Sequence, residues 1–124
     1  MKRLEHDLLT SKYTEVYHEE KFRFNAPHLF HVIKSGKTYE DAETTDIVGA
    51  VHFQEGPIKE NGVNGVCNED LIAMVICRLE HFNQSDFRCR ENSMAITKLE
   101  ESLLWLRKRT MGREQRGVEG THIK

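Results

Sequence analysis

No run of apolar residues in this 124-residue chain is long enough to span a bilayer. Its opening, Met1 to Thr10, carries charges where a secretory leader needs an apolar core, so the expected compartment is the cytoplasm. The three cysteines, Cys67, Cys77 and Cys89, lack metal-like spacing and leave an odd count, as reduced thiols of an intracellular protein do. No sign of charge dominates. The formal net charge is -2, which makes no global case for binding duplex nucleic acid or a membrane. A glycine-rich phosphate loop ending in Lys-Ser/Thr is missing, and so is a nucleophile elbow. His28 and His31 would point to opposite faces of a strand, a poor metal pair. With no internal repeat, no metal cluster and no catalytic constellation, the chain reads as a cofactor-free binder rather than an enzyme.

What is present suits one small domain. Apolar residues make up 38% and charged residues 31%, enough for a modest core beneath much hydrated surface. The fold class expected is α+β. A small N-terminal antiparallel sheet (1–66) precedes an antiparallel two-helix hairpin (67–117) and a terminal tail (118–124). Strands are expected at Tyr13 to Tyr17, Phe22 to Phe24, His28 to Lys34 and Ile47 to Phe53, where β-branched and aromatic residues recur. Ser35-Gly36 and Gly56-Pro57 stop two of them, the acidic stretch Glu40 to Asp46 forms an exposed loop, and Asn61 to Gly65 reads as a tight turn.

The first helix is expected to open with Asn68 as its N-cap, with Glu69 and Asp70 meeting the helix dipole. Leu71, Ile72, Val75, Ile76, Leu79 and Phe82 form its apolar stripe. Gln84 to Asp86 breaks the pattern and offers a cap for the second helix. On that helix Ala95, Leu99, Leu103 and Leu106 share a face, with Asn92, Arg109 and Arg113 on or beside it. Met94, Leu104 and Trp105 lie on other sides. A chain this small cannot cover all of these faces, so self-association is expected.

Five Lys or Arg and one acid fall between Arg107 and Arg116. Arg109 and Arg113 are four apart, so they project from adjacent turns. They are either solvated cations at a helix C-terminus or a site for a phosphate or pyrophosphate, which arginine meets with paired donors. Phe82 is either a core aromatic or a platform for a base, and Asn92 either stitches the helix start or reads a base edge. The acids Glu100 and Glu101 are most simply solvated charge. Asn92 and Arg109 stand roughly 25 Å apart along a helix. A small ligand touching both ends therefore needs two chains packed head-to-tail about a two-fold axis.

The stretch Val51 to Gly65, the runs Cys89 to Asn92 and Thr97 to Glu101, Trp105-Leu106, and the ending Arg116 to His122 together resemble the phage anti-Thoeris sponge family. This is the first type of Thoeris anti-defence protein, and its helical hairpin is similar to one in a phage anti-CBASS sponge. The resemblance covers about residues 47 to 122. It implies a protein of the infected bacterial host's cytoplasm that sequesters a cyclic ADP-ribose isomer, made by TIR-domain enzymes, without cleaving it. Related sponges also hold cyclic di- or trinucleotides in separate pockets, and their dimers assemble into hexamers (trimers of dimers). The family's ligand positions fall on Phe82, Asn92, Arg109 and Arg113, with Arg90 a candidate for the second pocket. Gly112 departs from a good helix former, and a helix ending there would take Arg113 off the face of Arg109. The rivals are an enzyme that degrades the same messenger, a nucleic-acid-binding phage regulator, and a ligand-free structural oligomer.

Overall fold

The structure, a computed structural model, describes every residue from Met1 to Lys124 and divides into two compact units, 1–65 and 66–124. The first unit is built on a four-stranded antiparallel sheet in the order β1-β2-β3-β4, with β1 at Lys2–Arg3, β2 at Thr14–His18, β3 at Leu29–Lys34 and β4 at Ile47–His52. The three longer strands lie where the alternating residues place them; β1 is too short to leave such a pattern. Val16 pairs with Val32 and Tyr17 with His31, and a bulge between Val32 and Ile33 shifts the register toward β4. Ile33 is completely buried. Phe30 and Phe53 meet edge to face at 5.4 Å.

Phe22 to Phe24 is not a strand. Phe24 and Asn25 take φ values of 57° and 74°, which turn the chain away from an extended path. The buried ring of His28 closes this turn through Nε2 and the Arg23 carbonyl, 2.6 Å away. The Glu19 carboxylate accepts the backbone N–H groups of His28 and Leu29, satisfying donors at the start of β3. The stretch after Pro57 is one helical turn, α1 at Ile58–Asn61, ahead of Gly62 at φ 75°. Gly65 is required by close approach, because a Cβ there would lie 2.4 Å from the Phe53 carbonyl oxygen.

The second unit is the helical hairpin, α2 at Asn68–Asn83 and α3 at Arg90–Gln115. The N-cap of α2 is Cys67, one residue earlier than expected: Asp70 reaches back to accept its backbone N–H at 2.8 Å. Cys89, not Gln84 to Asp86, caps α3, its Sγ accepting the Asn92 N–H at 3.4 Å. Asn83 closes the connection, donating to Ser93 Oγ at 2.9 Å and accepting from the Cys89 N–H at 3.3 Å.

The covered residues recur at steps of three and four. On α2 the series is Ile72, Ile76, Leu79 and Asn83, with Glu69 and Leu71 also covered; on α3 it is Asn92, Ile96, Leu99, Leu103, Leu106, Thr110 and Arg113, with Ala95 and Gly112 covered beside it. That is the spacing of a two-helix seam. Val75 and Phe82 fall outside it, 47% and 40% exposed. Gly112 does not end α3, which runs on to Gln115, and its Cβ position opens onto free space. The stop comes at Gly117, with φ 74°.

Candidate ligand-binding hairpin

The hairpin carries its candidate ligand groups at two ends. At the connection end, Phe82 sits on the last turn of α2 with the Arg78 guanidinium 5.2 Å from its ring centroid, the contact that an i, i+4 pair makes on one helix face. An open groove of about 530 Å³ is lined here by Arg78, His81, Phe82, Ser85 and Phe87. Ser85 shapes it. Its Oγ donates to the Phe82 carbonyl at 2.6 Å and accepts the Phe87 N–H at 3.1 Å, holding two phenyl rings along one groove. Phe87 is 75% exposed. Asn92 lies half-buried in the first turn of α3, and Arg90 stands exposed at its first position.

At the other end the two arginines part company. Arg109 is exposed on the flank of α3, whereas Arg113 is half-buried on the seam. Arg113 Nη2 donates to the carbonyls of Val118, Thr121 and Ile123 at 3.1, 2.9 and 2.9 Å. Of the neighbouring charges, Arg107 pairs with Glu114 at 3.2 Å and Lys108 Nζ lies 5.0 Å from the Trp105 ring centroid.

Phe82 and Asn92 therefore share the connection end, and Arg109 and Arg113 share the far end. No single chain brings the four together, since a helix advances about 1.5 Å per residue. The sequence pattern did not single out Arg78, His81 or Phe87. The i, i+4 spacing of Arg78 and Phe82 was a usable signal for the first; Phe87 sits in the connection, where periodicity carries no information.

Two of the histidines are held by local contacts, and a third, His81, lines the groove. His28 bonds the Arg23 carbonyl, and His31 Nδ1 lies 2.8 Å from the Tyr39 hydroxyl. Burial pushes the Cys67 thiol up, with Asp70 and Glu69 adding to it, so this cysteine is held as a thiol rather than an activated thiolate.

A family model described as the Acb2/Tad1 hairpin domain matches residues 45–111. Thoeris anti-defense 1 of Bacillus phage SBSphiJ7 is 52% identical over 142 residues, an alignment covering 100% of both chains. The chain belongs to the anti-Thoeris Acb2/Tad1 family. The family's hairpin region takes in Phe82, Arg90, Asn92 and Arg109 and stops just short of Arg113 and its carbonyl partners. The likeness to the phage anti-defence protein extends through that ending as well.

Proposed function

We propose that this protein counters Thoeris immunity by capture: it binds a cyclic ADP-ribose isomer in the cytoplasm of the infected host and withholds it, uncleaved, from its effector. The broad role, anti-Thoeris anti-defence, follows from the family. The observation that carries the finer reading is the division of the hairpin into two half-sites. An aromatic groove with an amide sits at one end, and two arginines sit at the other. An adenine-containing cyclic pyrophosphate needs both halves: a π-face for the base and paired donors for the phosphates.

The pocket is accordingly composite, with Phe82 and Asn92 from one protomer and Arg109 and Arg113 from its partner. A two-fold axis makes two such pockets. The exposed apolar side chains of the hairpin, Leu104 at 72% and Trp105 at 62% among them, support a covered face in a homodimer. Dimers assemble further into a hexamer (a trimer of dimers), with Arg90 serving a second pocket for cyclic di- or trinucleotides. Duplex nucleic acid and membranes are not partners.

Capture needs no bond to break. Binding is instead the sum of stacking, amide recognition and charge neutralisation in a site whose shape exists before the ligand arrives. Calorimetry against a panel of cyclic ADP-ribose isomers and cyclic oligonucleotides, followed by heat denaturation and recovery of the ligand, tests the reading. Tight binding with intact ligand released is the expected outcome; recovery of hydrolysed ligand would establish the enzyme instead.

A further inference from the structure

The ending of α3 contains more machinery than a helix stop requires. Gly117 and Val118 close the helix in a Schellman motif: the Val118 N–H donates to the Arg113 carbonyl and the Gly117 N–H to the Glu114 carbonyl, both at 3.0 Å. These two bonds already satisfy the carbonyls of Arg113 and Glu114. Yet the chain continues into a second turn, in which the Thr121 N–H and Oγ1 donate to the Val118 carbonyl at 3.1 and 2.6 Å. Thr121 Oγ1 also accepts the Ile123 N–H at 3.3 Å. The result is three carbonyl oxygens, of Val118, Thr121 and Ile123, converging on Arg113 Nη2 within 3.1 Å. Arg116 Nη1 ties the same segment down through the Lys124 carbonyl at 2.7 Å.

We infer that the segment Val118–Ile123 is a positioning strap for Arg113, holding its guanidinium in a fixed orientation for an oxyanion brought by the ligand. This rests on the composite-pocket reading above. A guanidinium has five N–H donors in a rigid plane, and the strap bonds use those of Nη2. Fixing one corner of a planar fork fixes the direction of the rest. Carbonyl oxygens suit this task because they orient a cation without neutralising it, so its charge stays available to a phosphate. Arg109, exposed one turn earlier, has no such clamp, so the two arginines divide the work into one fixed donor and one that adapts. Restricting a flexible side chain before binding removes an ordering cost worth about tenfold in affinity.

Two variants of the full protein test this. Deleting residues 121–124 removes the acceptors of Thr121 and Ile123 but keeps the Gly117–Val118 helix stop, and Thr121→Val removes the hydroxyl bonds without shortening the chain. The first readout needs no ligand: ¹⁵N relaxation of the Arg113 side-chain Nε–H. The account predicts an ordered Arg113 in the full chain, a mobile one in both variants, and an unchanged Arg109. An Arg113 already mobile in the full chain overturns it. The second readout is affinity for whichever cyclic ADP-ribose isomer the full chain binds most tightly. Both variants should lose about tenfold, and neither should lose anything further when Arg113 is already alanine. Equal losses with and without Arg113 would show a purely structural tail, and tighter binding on deletion would show an inhibitory one; either result overturns the strap. If the full chain binds no isomer, the capture reading fails, while the relaxation data still decide whether the strap holds Arg113.

Discussion

Arg113 and Val118 are joined twice: the Val118 N–H donates to the Arg113 carbonyl at 3.0 Å, and Arg113 Nη2 donates to the Val118 carbonyl at 3.1 Å. Backbone and side chain of one residue thus grip both polar groups of another five positions on. The first bond ends the helix; the second places a cation. Helix termination and the placing of a guanidinium are built from the same pair.

That pair depends on the backbone at Gly117, and two glycines nearby should respond to alanine with opposite signs. Neither Gly112 nor Gly117 has a heavy atom within 4 Å of its Cβ position, so packing does not distinguish them. Gly112 lies within α3, where alanine gains about 1 kcal/mol in helix propensity. Gly117 sits at φ 74°, where alanine loses about 1 kcal/mol. Urea unfolding of the two variants should move the midpoint up for Gly112→Ala and down for Gly117→Ala.

The hairpin connection depends on Asn83. Its amide bonds both the exposed Ser93 hydroxyl and the Cys89 backbone, so Asn83→Ala should cost about 1–3 kcal/mol, chiefly by leaving the half-buried Cys89 N–H unpaired. Thermal unfolding measures this directly. A loss below about 0.5 kcal/mol would show that water replaces the amide at both partners.

Phe82 should act through its π-face. Base stacking on an aromatic contributes about 1–3 kcal/mol, so Phe82→Ala should weaken isomer binding at least fivefold, and Phe82→Leu should recover little of it. Phe87→Ala should weaken binding in the same direction, since both rings line one groove. Unfolding midpoints should change little for Phe87, whose ring is 75% exposed.

Much of this architecture was legible in the sequence. Leu29–Lys34 and Ile47–His52 emerge as strands because their β-branched and aromatic residues suit a pleated, half-buried surface. The seam of α3 emerges because Leu99, Leu103 and Leu106 repeat at the helical step. Phe22 to Phe24 alternates just as well and yet turns, because the positive φ values of Phe24 and Asn25 answer to tertiary contacts that no local pattern records. Gly112 was a plausible helix end by propensity, but flanking residues with good helix propensity carry α3 past it. The Arg113 strap left no signature, since its acceptors are backbone carbonyls that every residue owns.

Acid should loosen the β3–β4 connection at one identifiable point. The Glu43 N–H first, then the Lys37 ammonium, hold the Asp46 carboxyl below the ordinary aspartate range. A depressed folded pKa means the contribution is present above the unfolded value and is lost as pH falls through the folded one. An NMR titration should therefore place the Asp46 inflection below about 3.9, and Lys37→Met should move it upward. An inflection that ignores Lys37 would show that the 3.0 Å ion pair does not persist in solution.

The central claim is that one pocket draws on two chains, and complementation of two weakened variants tests it most directly. Phe82→Ala and Arg109→Ala each damage every site of their own homodimer. In a mixed dimer the two-fold axis gathers both defects into one pocket and leaves the other intact, so co-refolding equal amounts should restore about a quarter of the sites at native affinity. Calorimetry with a bound isomer would read that fraction. Recovery near a quarter is the predicted result; no recovery in verified mixed dimers would place Phe82 and Arg109 in the same chain's pocket and contradict the account.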